Sequence, residues 1–241
     1  MHLVYDIVRV LHLVGGAVGL LLVPVPLLVK KGGTLHKRVG KAFVVAMTIA
    51  SWSGLAMAVS WLVAPLAFRP VGADADPTGI RASGLFLATI ALITLSALHQ
   101  LVRAPARKRE STPAPTRTDR ALPLVTAIAG VATLATGLAF GRGLLIAFGA
   151  LAIFAGISDL RFAVRKLPSR MAWWYQHMSG AMVTVIATLT AFLVFGGRRI
   201  VAEIVPDGVG WVLWIAPALV IVPATELWIS RYKRRFGERR A

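Results

Sequence analysis

The sequence predicts an all-α polytopic integral membrane protein with seven transmembrane helices. Three observations carry that reading. Of its 241 residues 57% are hydrophobic, with a mean hydropathy of +0.73. Apolar runs of about 20 residues, enough to cross a hydrocarbon core of roughly 30 Å, recur along the whole length. Lysine and arginine also alternate between successive connections, which is the mark of a chain threaded repeatedly through a bilayer.

Seven helices are expected at about 5–29, 42–68, 83–102, 122–141, 143–162, 173–196 and 209–230, within a single transmembrane domain 1–241. Helices are the economical choice because lipid offers backbone groups no partners. No strand-like alternation points to a barrel. The first run, M-H-L-V-Y-D-I-V-R-V onward, lacks a basic leader and a small-residue cleavage site, so it is expected to be a retained helix. Gly15 and Gly19, and Gly137 and Gly141, form G-x-x-x-G spacings for close helix packing, and Gly149 and Gly156 lie two turns apart on one face. Pro217 and Pro223 are expected to kink the last helix. The third connection, about 103–121, is Pro-rich, charged and aperiodic, and reads as a mobile cytoplasmic linker.

Charge sets the orientation. Lys30, Lys31, Lys37, Arg38 and Lys41 surround the first connection. Arg103, Arg107, Lys108, Arg109, Arg117 and Arg120 fill the third, and Arg161, Arg165, Lys166 and Arg170 the fifth. With Arg231, Lys233, Arg234, Arg235, Arg239 and Arg240 in the tail, one side holds 21 of the 27 basic residues. The other side keeps Arg9, Arg69, Arg81, Arg142, Arg198 and Arg199, beside Asp74, Asp76, Glu203 and Asp207. The positive-inside rule then places the N-terminus outside and the C-terminus in the cytoplasm of a bacterial inner membrane. The net charge of +17 is therefore topological and suits anionic lipid head groups. Nucleic acid is not an expected partner, because no basic stretch is interleaved with aromatics. With no cysteine there is no thiolate site or disulfide.

Sorted by depth, the ionisable residues His36, His99, Asp159, His177 and Glu226 fall within a few turns of the cytoplasmic side, on five different helices, with Arg161 next to Asp159. Such groups are costly in a bilayer and usually pair inside the bundle. One reading is a shared polar site in the cytoplasmic leaflet that binds a lipid or small ligand. The alternative is a metal-dependent hydrolase or single-haem b-type cytochrome using His36, His99 and His177. Three imidazoles and a carboxylate suit zinc with an open position for water, and a facing histidine pair suits haem b iron. Against both stands the plain reading that helix ends are where polar residues belong, and no local metal motif is present. On the outer side, Asp6, Arg9 and His12 recur every third residue, as an i,i+3 ion pair with a packed histidine would.

Three stretches resemble a family. K-K-G-G-T-L-H-K-R-V-G-K-A-F-V-V-A-M at Lys30–Met47, S-D-L-R at Ser158–Arg161 and W-W-Y-Q-H-M-S-G…A-T-L-T-A-F at Trp173–Phe192 are similar to a group of uncharacterised bacterial seven-helix membrane proteins with a domain of unknown function. The resemblance implies a seven-helix fold, names no activity, and draws attention to His36, Asp159, Arg161 and His177. The histidine, aspartate and serine inventory also resembles that of zinc-dependent seven-helix amidases, alkaline ceramidases among them. Two-haem transmembrane cytochromes need a histidine pair on each side, whereas the outer half offers only His12 and His2.

Overall fold

A computed structural model describes residues 2–68, 76–109, 114–197 and 209–238, and among them every regular element is helical. The elements are α1 His2–Leu22, α2 Pro24–Leu28, α3 Thr34–Val63, α4 Pro77–Ala106, α5 Arg117–Ala139, α6 Gly143–Val164, α7 Ala172–Ala191 and α8 Val212–Arg235. A 3₁₀ turn, Arg107–Arg109, extends α4, and a π turn, Phe192–Gly196, extends α7. Among the described residues, seven spans are long and apolar enough to cross a membrane, α1 and α2 together supplying the first. Arg69, Asp74, Arg198, Arg199, Glu203, Asp207, Arg239 and Arg240 lie outside the described residues.

Polarity is arranged as lipid requires. The largest side chains closed off from the surface include Thr89, Thr126, Thr133 and Thr184, whereas Leu21 is 76% exposed and Phe154 72%. A water-soluble fold has the opposite pattern. The buried hydroxyls have partners: Thr184 Oγ1 donates to Gly180 O at 2.9 Å, and Thr188 Oγ1 to Thr184 O at 2.8 Å. They return to their own helix, as membrane threonines commonly do.

Helix ends depart from the hydropathy boundaries for identifiable reasons. α3 starts at Thr34 rather than 42 because its first two turns are helical but basic. α4 starts at Pro77, where Asp76 Oδ1 and Oδ2 accept the N–H groups of Thr78 (2.9 Å) and Gly79 (2.7 Å), a proline and N-cap pairing that favours helix initiation. α5 starts at Arg117 through a capping box: Thr116 Oγ1 accepts from Asp119 N, and Asp119 Oδ2 from Thr116 N. Both ends of the expected linker 103–121 are therefore helical. α8 runs through Pro217 and Pro223.

The chain divides into two compact units, Met1–Ser96 with Pro115–Val164, and Ala97–Ala114 with Arg165–Ala241, so α4 contributes residues to each. In the first, α1 packs on α3 and α5 on α6. A Cβ added at Gly15 would lie 2.8 Å from Ala46 O, and one at Gly19 2.5 Å from Met47 Sδ, so this G-x-x-x-G does mark a close approach. The second expected motif is replaced by another. Gly141, at φ +63°, sits in the turn after α5. There Arg142 N donates to Gly137 O at 2.9 Å, closing the helix as only a left-handed residue allows. The packing glycines are instead Gly130 and Gly137 on α5 against Gly149 and Gly156 on α6. A Cβ at Gly149 would sit 2.5 Å from Leu134 N, and one at Gly156 2.5 Å from Pro123 O. On the α4 side of α5, Thr133 Oγ1 meets Thr89 Oγ1 at 2.7 Å.

In the second unit α7 packs on α8. Tyr175, Met178 and Ile229 form a buried cluster with Trp174, Tyr232 and Phe236 against it, and the Trp174 and Tyr232 ring centroids are 4.2 Å apart.

Gly149→Ala or Gly156→Ala forces a methyl group into backbone of the facing helix and should lower stability by about 1–3 kcal/mol. Gly143→Ala, where a Cβ meets nothing within 4 Å, should change it by less than about 0.5 kcal/mol. Thermal unfolding in detergent would measure both.

Candidate functional site

Two prolines explain where two of the highlighted histidines go. The first is Pro105. A residue at 105 would normally donate its N–H to the carbonyl of Leu101, and proline has none to give. His177 supplies the missing donor, with Nδ1 2.7 Å from Leu101 O. A carbonyl oxygen only accepts, so Nδ1 carries the proton. The reach is possible because Gly180, one turn further along α7, lets that helix lie against α4: a Cβ there would be 2.7 Å from Ala97 O and 3.0 Å from Leu101 N. The H-M-S-G portion of the aromatic-flanked motif is thus a helix-docking device.

The second case is Pro26. Proline at 24 and 26 breaks the first span at Val23 and leaves a short α2 whose last carbonyls have no helical donors. Lys31 Nζ donates to Pro26 O at 2.8 Å and also to Leu27 O. His36 Nδ1 donates to the same Pro26 O at 3.2 Å. Gly32, at φ +75°, makes the turn that brings them back. Burial lowers the Lys31 pKa. K-K-G-G-T-L-H therefore caps the first span. On α1, His12 behaves alike: Nδ1 lies 2.7 Å from Ala50 O, while Asp6 and Arg9 form the expected ion pair at 3.2 Å.

Asp159, in the first unit, accepts a short 2.6 Å hydrogen bond from Ser96 Oγ, joining α6 to α4; Ser96 is almost wholly buried. Arg161 and Glu226 are exposed, and His99 is half-buried on α4. Among the described residues no group of three or more His, Asp or Glu side chains is placed to hold a metal ion. His36 belongs to the first unit, and His99 and His177 to the second.

A carboxylate that sequence reasoning passed over organises the second unit. α8 ends at Arg235 with Phe236 as its C-cap, and Gly237, at φ +71°, reverses the chain while Glu238 N donates to Lys233 O at 2.8 Å. This returns the Glu238 carboxylate to the segment before α7. It accepts from Ser169 Oγ (2.7 Å), Met171 N (3.0 Å) and Tyr175 Oη (2.9 Å). Burial works to raise the Glu238 pKa, but these three donors and the Arg170 charge outweigh it and hold the carboxyl below its ordinary value. Arg107, read as part of the linker, is buried, with Nη2 2.8 Å from Arg165 O. Lys108 Nζ lies 5.4 Å from the Trp173 ring centroid. A lone Glu in a basic tail three residues from the end gave little warning; the preceding glycine was the usable signal.

Compared with protein-family models, with curated proteins and with solved structures, the chain matched none.

His177→Ala leaves Leu101 O without its donor and should destabilise by about 1–3 kcal/mol. In a Pro105→Ala background, where residue 105 can donate again, the same change should cost clearly less. A double-mutant cycle on thermal unfolding measures that difference, and additive effects would refute the capping role. Because the folded pKa of Glu238 is depressed, its contribution is present above the ordinary value of 4.5 and is lost as pH falls below it. Glu238→Gln should flatten that acid-side loss in a pH series of unfolding midpoints.

Proposed function

We propose that this chain is an integral protein of the bacterial inner membrane, N-terminus outside and C-terminus in the cytoplasm, that binds anionic lipid or a small ligand through polar groups at its cytoplasmic helix ends. Membership of the uncharacterised seven-helix group that Lys30–Met47 and Trp173–Phe192 resemble belongs to the same proposal. One observation carries the preference for binding over metal chemistry. His36, His177 and Asp159 are each bonded into the helix framework, whereas Lys37, Arg38, Lys41 and Arg161 are exposed. Exposed cations at helix ends recognise phosphate and carboxylate groups.

In the alternative, a metal-dependent hydrolase or single-haem cytochrome using His36, His99 and His177, the Nδ1 atoms of His36 and His177 would not be the ligating atoms, since they donate to carbonyls. Elemental analysis and an absorption spectrum of protein purified without added metal discriminate the two. The binding reading expects no stoichiometric metal and no Soret band. A Soret band abolished by His177→Ala would establish the haem reading instead. For orientation, a fluorescent reporter after Ala241 should fluoresce, and alkaline phosphatase inserted at Gly141 should be active. The reverse pattern would invert the map.

A further inference from the structure

We propose that the groove between α1 and α3 seats an acyl chain of an anionic membrane phospholipid, with the headgroup phosphate on Lys41, Lys37 and Arg38. The proposal rests on the membrane and anionic-lipid reading above and assigns it a place.

The groove exists because α1 and α3 approach backbone to backbone at Gly15, where a Cβ would be 2.8 Å from Ala46 O. Above that floor it is walled by Leu11, Val14 and Val18 from α1 and Ala42, Val45 and Ile49 from α3, and it is an open groove of about 420 Å³. Val14 is 56% exposed and Val45 58%, so the walls present branched aliphatics that need apolar cover. From Lys41 to Ile49 the groove runs eight residues, about 12 Å of helix, which is a slot for part of a hydrocarbon chain.

Lys41 lines the groove where it meets the first connection. Lys37 lies four residues before Lys41, and Arg38 four before Ala42, so both prolong the groove's side of α3 beyond its apolar part. The sequence has no carboxylate between Asp6 and Asp74, so no acidic side chain on these helices neutralises the three cations. Thr34, the first residue of α3, follows a Gly33 N-cap that provides no side-chain acceptor, and the positive helix end adds to the field. A second copy of the chain fits poorly. In a shared membrane orientation, a two-fold contact through this groove would bring both sets of cations to one depth. A phospholipid satisfies both halves at once, its chain covering the aliphatics and its phosphate meeting the cations.

The test uses the full chain in nanodiscs with photoactivatable probes that share one diazirine-bearing acyl chain and differ only in headgroup, phosphatidylglycerol or phosphatidylcholine. Labelled peptides are mapped by mass spectrometry. The expected result is preferential phosphatidylglycerol label on residues 11–18 and 42–49. Each of Lys37→Ala and Lys41→Ala should reduce it by about fivefold, without altering label near the α8 tail. Ala42→Phe, which fills the groove, should remove label from both probes. Equal labelling of the groove by both probes overturns the proposal; if the tail still prefers phosphatidylglycerol, the broader anionic-lipid reading survives, and if nothing prefers it, that reading falls too. Since the chain has no cysteine, Val45→Cys reports the rival occupant: ready disulfide dimers would assign the groove to a second copy. Should the lysine variants misfold, the headgroup ratio in the wild-type chain decides.

Discussion

A peptide carbonyl that loses its helical donor inside hydrocarbon has no water to turn to, and the penalty is several kcal/mol. Much of the site geometry follows from that constraint. Pro105 removes the donor for Leu101 O, and His177 replaces it across two helices. The short α2 ends with Pro26 and Leu27 carbonyls exposed, and Lys31 and His36 fold back to meet them. The residues that look like ligands for a metal are, in these two places, donors to the backbone. The polar cost of breaking a helix and the polar cost of burying an imidazole offset one another.

The same economy governs the rest. Where helices approach within backbone distance the chain uses glycine, as at Gly149 and Gly156, and where polar atoms are buried they are hydroxyls with a carbonyl or another hydroxyl in reach, as at Thr89 and Thr133. Hydrophobic burial does not drive these contacts, since lipid covers leucine as well as protein does. Close packing and short polar bonds must do so. Charged groups are accordingly kept to the ends, where Glu238 draws the return after α8 onto Ser169, Met171 and Tyr175.

The seven spans were legible because hydropathy integrates over about 20 residues and needs no knowledge of neighbours. Their ends were less so. Thr34–Lys41 is helical but basic, and a window searching for apolar sequence stops short of it. Asp76-Pro77 and Thr116-x-x-Asp119 are readable start signals, but they lie in polar sequence outside the apolar runs, the second within the expected linker. The partners of His177 and Asp159 could not be read at all, since Leu101 is 76 residues from His177 and Ser96 63 from Asp159. Which helices adjoin is a tertiary fact, and a proline's orphaned carbonyl has no address until that is known. The spacing of Gly137 to Gly141 matches a packing motif, yet Gly141 makes the turn, and the glycines that face Gly130 and Gly137 lie on the next helix.

The turn between α5 and α6 has only three residues, and the two helices are closed by their own glycines and by Gly141. Such a pair needs no distant stretch of chain to complete its interface, and loop closure over three residues is cheap in entropy. Its two helices can therefore come together without waiting for any later segment of the chain.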